Sequence, residues 1–160
     1  MNKFQRREGF SLIELLIVVS IIGIISAMAV PNLLAAKRAA NEGSAQASLR
    51  TIHSCEITYQ ATSGLGDYGD IAALKVSLLT DVVLGSGTKS GYNFAAHPTA
   101  PGVRPALFYA TGVPTSTSGV GQSGTRRFGV TEDGSMRGDA LALTPYVDED
   151  DVKAAPGIGN

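Results

Sequence analysis

Tryptophan is absent from the 160 residues, cysteine occurs once and histidine twice. The single thiol, Cys55, excludes an intrachain disulfide and leaves the redox compartment unread. His53 and His97 give no metal-ligand spacing. There is no G-x-S-x-G elbow, no H-E-x-x-H, no C-x-x-C and no dinucleotide fingerprint. No catalytic set, no cofactor site and no metal site is therefore expected, and the chain does not read as an enzyme. The formal net charge is −1, so no global basic field points to nucleic acid, and no nucleic-acid contact is inferable.

Charge is also scarce locally. From Phe10 to Val30 the chain has 21 residues, 16 of them apolar, and the one full charge is Glu14. As a helix this stretch spans about 31 Å, close to the hydrocarbon thickness of a bilayer. Lys3, Arg6 and Arg7 precede it, which leaves the N-terminus cytoplasmic. A carboxylate near the bilayer centre costs roughly 2.5–3.5 kcal/mol on insertion scales, so Glu14 needs a reason.

Three readings compete. A secretory signal peptide has the basic start, the apolar run and a small-x-small site at Ala27–Ala29, but it gains nothing from Glu14, and the helical pattern continues past the cut. A plain membrane anchor explains the length and leaves Glu14 unexplained. The third reading rests on likeness. The stretch "EGFSLIELLIVVSIIGIISAMAVPNLLAA" resembles the class III signal of type IV pilins and of type II secretion pseudopilins. That resemblance implies a leader of residues 1–9, cleavage after Gly9 by a prepilin peptidase, and N-methylation of the new N-terminal Phe10. It implies that Glu14 serves assembly, meeting the Phe10 amine of a neighbouring subunit and selecting one stagger. The alternative is a local role, with Glu14 facing its own Phe10 amine or the positive helix end. Gly23 and Pro31 occupy the places where such helices carry residues that weaken them. Pro31 removes a backbone donor, so the helix is expected to bend or open there.

Beyond Pro31 the helical period persists from Asn32 to Ala61. Ala45, Leu49, Ile52, Cys55 and Tyr59 form one apolar stripe, with Gln46, Arg50, Ser54 and Thr58 away from it. Cys55 reads as a small buried hydrophobe, and His53, at the stripe's edge, as structural or solvent-facing. A helix from Phe10 to about Ala61 would measure roughly 78 Å. "SGLGDYGD" ends it, and Asp70 is a plausible N-cap for a short helix in Asp70–Gly85. "GSGTKSG", Gly85–Gly91, superficially looks like a phosphate loop, but Thr88 rather than Gly precedes Lys89 and a strand pattern follows, so it reads as a turn.

Four strands are expected at Tyr92–His97, Ala106–Thr111, Arg126–Thr131 and Ser135–Arg137, the last two joined by a turn on Asp133–Gly134. Thr111–Thr125 reads as a mobile Gly/Ser/Thr loop and Thr144–Asn160 as irregular. The fold class is α+β and pilin-like: a long N-terminal helix, apolar in its first half, packed by its second half on a small antiparallel meander. The expected divisions are a leader at 1–9, a transmembrane or filament-core helix at 10–30, its amphipathic half at 31–61, an α/β head at 62–143 and a tail at 144–160.

"SGTKSGYNF" and "RRFGVTEDGSMRG" resemble a branch of bacterial pilin-like proteins. In that superfamily many pilins close the C-terminal region with a disulfide, which one cysteine forbids, while pseudopilins often use calcium there. Asp133, Asp139 and Asp148–Asp151 are candidate ligands without the spacing of an EF-hand loop; the alternative is a solvated acidic tail. The resemblance implies a structural subunit of a type IV pilus, serving adhesion, surface motility or DNA uptake. The alternatives are a pseudopilin of a type II secretion system and a monomeric membrane-anchored binding module. The implied partners are further copies of the chain in a helical homopolymer, the prepilin peptidase, the inner-membrane assembly machinery and, before assembly, membrane lipid. The implied locations are the cytoplasmic (inner) membrane for the precursor, then an extracellular pilus or a periplasmic pseudopilus.

Overall fold

The structure is a computed structural model that describes residues 9–140 and 144–158. The other leader residues, 1–8, lie outside it, as do 141–143 and 159–160. The chain divides into two compact units, residues 1–36 and 37–160. The first helix, α1 (Leu12–Ala61), contributes to both.

In the first unit the side chains of α1 are exposed except for the half-buried Leu34, and the exposed set includes Leu12, Ile13, Ile17, Ile21, Ile24 and Met28. An 18-residue window of α1 reaches a mean hydropathy of 2.6, none of it buried among the described residues, so the helix is long and apolar enough to cross a membrane. Gly23 and Pro31 both lie inside an unbroken helix. Pro31 removes one hydrogen bond and crowds the preceding turn, yet the helix does not open there.

In the second unit α1 packs on a five-stranded antiparallel sheet. The strands are β1 (Thr88–Lys89), β2 (Tyr92–Pro98), β3 (Phe108–Pro114), β4 (Arg127–Thr131) and β5 (Met136–Asp139), in the spatial order β1-β2-β3-β4-β5. This is the expected meander, with a short edge strand in the "GSGTKSG" stretch, where the sequence pattern predicts only a turn. Thr88 pairs with Asn93 and Lys89 with Tyr92, so the turn opens a two-residue hairpin. β3 starts later than expected, at Phe108, and runs on to Pro114, because Tyr92 at the start of β2 finds its partner there. Ala45, Leu49 and Ile52 of the stripe are fully buried against Phe94, Phe108, Ala110 and Phe128. Cys55 and Tyr59 sit half-buried at the margin of that core. Burying a Leu or Ile side chain is worth about 1.5–3 kcal/mol, so these few positions hold helix and sheet together.

The short helix α2 (Ile71–Ser77) begins where expected: the Asp70 carboxylate accepts from Ala73 N–H at 2.8 Å. A 3-10 turn, Leu84–Ser86, follows it.

Two expectations need correction. The segment from Thr144 is not irregular throughout: it forms α3 (Glu149–Ala154), capped by Asp148, whose side chain accepts from Asp151 N–H. The signal was in the sequence. An N-cap Asp, acids in the first turn, Lys153 in the last and Pro156–Gly157 beyond it are the marks of a short helix. This segment covers the second face of the sheet, burying Tyr146, Val152 and Ala155. A side chain at Gly129 would come within 2.8 Å of Val152 and 3.1 Å of Tyr146, so only glycine allows the close approach. β4 is consequently buried on both faces.

The second correction concerns the Gly/Ser/Thr loop. It is tied to α1 by Arg38 to Gln122 (3.0 Å) and by Asn41 to Ser123 O (2.9 Å). Thr115 N–H and its hydroxyl both reach Gly91 O. Gly124 lies so close to the Tyr92 ring that a Cβ there would overlap the phenol oxygen. These bonds hold the loop to α1 and to Gly91, and composition does not register such long-range bonds.

Candidate assembly site

The site begins at the start of α1. Gly9 and Phe10 are exposed, and among the described residues nothing lies within 4 Å of where a Gly9 side chain would be. Phe10 itself is 77% exposed. Ser11 precedes the helix, and Glu14 stands three residues later. The Ser11 N–H donates to Glu14 Oε2 at 2.9 Å. This is the backward half of a capping box, in which the acid at the third helical position satisfies an orphan donor. Sequence reasoning placed Glu14 at the helix end but overlooked the "SLIE" box, which is visible by its spacing. Gly9 and Phe10 precede the first turn of α1, and Glu14 lies within it. Gly23 and Pro31 lie farther along α1 and are not brought to that end of the helix.

A second set of carboxylates on α1 faces the sheet. Glu42 is almost wholly buried and accepts from Thr125 N–H (2.8 Å), Thr125 Oγ1 (2.7 Å) and Arg126 Nε (3.0 Å). Burial alone would push its carboxyl up, but these bonds outweigh it and hold it below the usual range. Glu56 is fully buried. Its Oε2 accepts from Gly69 N–H at 2.9 Å, while Oε1 has no hydrogen-bond partner among the described residues. Burial pushes this carboxyl up to about 7, and the negative charge of Asp70 adds to the effect while the Gly69 bond opposes it. Burial, with the charge of Glu56, also raises the Cys55 thiol. His53 is structural: its Nε2 lies 3.2 Å from Glu132 O and its ring packs on Phe108.

Most of the acids weighed as calcium ligands are engaged within the fold. Asp133 accepts from Thr131 Oγ1 (2.6 Å) and from Ser135 N–H and Oγ, which draws its carboxyl down to about 2 against the effect of burial. Asp139 receives both Nε and Nη2 of Arg127, each at 2.9 Å. Asp148 caps α3, and Asp151 lies 3.8 Å from Arg127. Among the described residues no group of three or more His, Cys, Asp or Glu side chains is placed to hold a metal. Sequence reasoning missed Arg127. Its guanidinium is almost wholly buried, donates to Thr144 O (3.0 Å) and Pro145 O (3.3 Å), and lies 3.9 Å from the centre of the Tyr146 ring. One residue therefore clasps the C-terminal segment to the sheet in a chain that cannot form a disulfide.

Three similarities to known proteins bear on this geometry. Residues 4–30 match the family described as a prokaryotic N-terminal methylation motif. The chain is 55% identical over 38 residues to the type IV wide pilus major component PilA4 of Thermus thermophilus, covering 24% of this chain and 29% of that protein. It is 37% identical over 54 residues to the type IV major pilin protein PilA of Myxococcus xanthus, covering 34% of this chain and 24% of that one. The match thus spans under a third of either relative's length. No solved structure matches the chain.

Proposed function

We propose that this chain, which belongs to the type IV pilin and pseudopilin superfamily, is the structural subunit of a type IV pilus. Its role is structural, not catalytic. The subunit waits in the cytoplasmic membrane with the helix of residues 10–30 in lipid. The peptidase cuts after Gly9 and methylates Phe10. The helix then leaves lipid for the interior of a filament of identical subunits, and the assembly machinery of the inner membrane drives that exchange. The fibre serves adhesion, surface motility or DNA uptake outside the cell.

The observation that carries this reading is the conjunction at one helix end. A methylation motif at residues 4–30 coincides with an exposed Gly9–Phe10 bond, a carboxylate four residues on, and an apolar helix face that no described residue covers. A helix with that much exposed apolar surface needs either lipid or other helices around it. The names of both relatives are those of major pilus components, which favours a pilus over a secretion pseudopilus.

The experiment is to shear fibres from cells and sequence their subunit by mass spectrometry. The expected result is this chain beginning at N-methyl-Phe10. Fibres lacking the chain, with processed protein confined to the membrane and periplasm, would favour the pseudopilus. Unprocessed monomer alone would leave only the anchored binding module.

A further inference from the structure

We infer that the second unit carries a binding site for the phosphate group of a phospholipid headgroup, in a polar cavity of about 340 Å³. Lys37 and Asn41 of α1 line it on one side, Ser90 and Gly91 of the β1–β2 turn on another, and Gly121 and Gln122 of the Gly/Ser/Thr loop on a third. Among the described residues no acid lines it. Its volume is at the small end of ligand-sized cavities.

The charge at this cavity is of one sign. Lys37 is exposed, and neither it nor Arg38 makes an ion pair among the described residues. Arg38 spends one N–H on the neutral amide oxygen of Gln122, at 3.0 Å, and has others to donate. Glu42, the next acid along α1, is held by Arg126 at 3.0 Å and does not line the cavity. The main chain adds donors. Ser90 (φ +49°) and Gly91 (φ +73°) are the two left-handed residues between Lys89 and Tyr92, which pair. The ladder leaves the N–H groups of such a turn unused, and neither has an acceptor among the described residues. Successive N–H groups of a turn make a concavity suited to an anion. Asn41 Nδ2 donates to Ser123 O at 2.9 Å and keeps its second hydrogen. An ammonium, an amide and turn N–H groups therefore border one cavity, and no carboxylate in its lining competes with an incoming anion.

Position along the chain decides the source of the phosphate. Lys37 and Arg38 are the first full charges after Glu14. The apolar part of α1 therefore ends at the residues that open this cavity, and the anions met at the edge of a bilayer's hydrocarbon are headgroup phosphates. The inference rests on the reading that the apolar part of α1 sits in lipid before assembly. A headgroup held here would favour the membrane-held subunit and would have to be released when the helix leaves lipid.

The test uses the full chain in dodecyl maltoside micelles, which hold no phosphate, followed by amide NMR. The amides of residues 12–30 report insertion of α1 in the micelle. That readout is independent of binding at the cavity and of whether the chain forms fibres, so failure here is distinct from failure of the pilus reading. The probe is dihexanoyl phosphatidylglycerol, added to millimolar concentration. The amides of Ser90, Gly91 and Gly121 and the side-chain amide of Asn41 are expected to shift saturably. Dihexanoylglycerol, with the same chains and no phosphate, should leave them in place. Lys37→Gln removes an exposed charge without touching the core and should weaken binding about two- to fivefold, the range of an exposed ion pair. Lys37→Glu should weaken it further. Arg50→Gln, at an exposed cation of α1 that does not line the cavity, should change nothing. The inference is overturned by no saturable shift with the phospholipid, by equal shifts with the phosphate-free lipid, or by an equal loss from Arg50→Gln, which would mean diffuse attraction. It is also overturned if inorganic phosphate binds as tightly as the phospholipid, which would make the free ion the ligand.

Discussion

Glu14 Oε2 accepts a hydrogen bond from the backbone N–H of Ser11 at 2.9 Å, one residue from the bond that processing would cut. The uncut chain therefore already uses one carboxylate oxygen to satisfy its own helix end. A carboxylate has two oxygens and about four acceptor sites, so the local bond does not exhaust it. Cleavage would turn the neighbouring Phe10 nitrogen from an amide into a cationic amine. The local role and the proposed intersubunit role would then be successive uses of one group.

If the second use sets the stagger, Glu14→Ala should still insert and be cleaved, since an expensive group has left the bilayer. Assembly should fail, at a cost of roughly 3–5 kcal/mol per subunit for a broken buried pair. Glu14→Gln keeps an oxygen for Ser11 and should also assemble poorly. Fibre yield at matched levels of processed subunit is the measurement. Normal fibres from Glu14→Gln would leave the carboxylate with its capping role alone.

Replacing Gly9 by valine places a branched side chain at the cut. Precursor should accumulate in the membrane fraction, heavier by the leader and lacking the methyl group, as intact-mass measurement would show. A wild-type mature protein beginning at Val30 would instead establish a secretory signal.

Glu56 makes head stability depend on pH with a defined sign. Its carboxyl is raised from 4.5 to about 7 in the folded state. Below pH 4.5 both folded and unfolded chains hold the proton, and the group imposes no penalty. As pH rises toward 7 the unfolded chain releases it first, so stability falls, by on the order of 3 kcal/mol once pH passes the folded value. Glu56→Gln should flatten that part of the curve. Thermal melts of both proteins across this range measure the difference; parallel curves would mean that Glu56 is hydrated.

Arg127→Ala removes the clasp on the C-terminal segment, taking two carbonyl bonds, the ring contact with Tyr146 and the fork on Asp139. A loss of about 3 kcal/mol is expected. Arg127→Lys keeps the charge but not the planar fork and should recover only part of it. Limited proteolysis should cut first within Thr144–Ile158 in the alanine variant. Unchanged protection there would place the hold on this segment in Tyr146 and Val152 packing instead.

The local elements of this protein follow from local patterns. The apolar run of 10–30, the stripe of Ala45, Leu49 and Ile52, the Asp70 cap and the Asp133–Gly134 turn each depend on residues within a few positions of one another, and periodicity and cap chemistry report them. The α3 signal was local as well and was hidden behind a reading of its acids as a solvated tail. What tertiary structure decided lies between residues far apart in the chain. Glu42 meets Thr125 and Arg126 more than eighty positions away, Arg127 gathers Asp139 and Thr144–Tyr146, and Glu56 becomes buried because the Gly69 segment folds over it. Nothing in the spacing of a glutamate along a helix distinguishes one that is solvated from one that is enclosed. That distinction is set by which distant segment comes to lie against it, because the cost of removing a charge from water depends on the surroundings and not on the neighbours in sequence. For the same reason α3 was needed to show that β4 is covered on both faces.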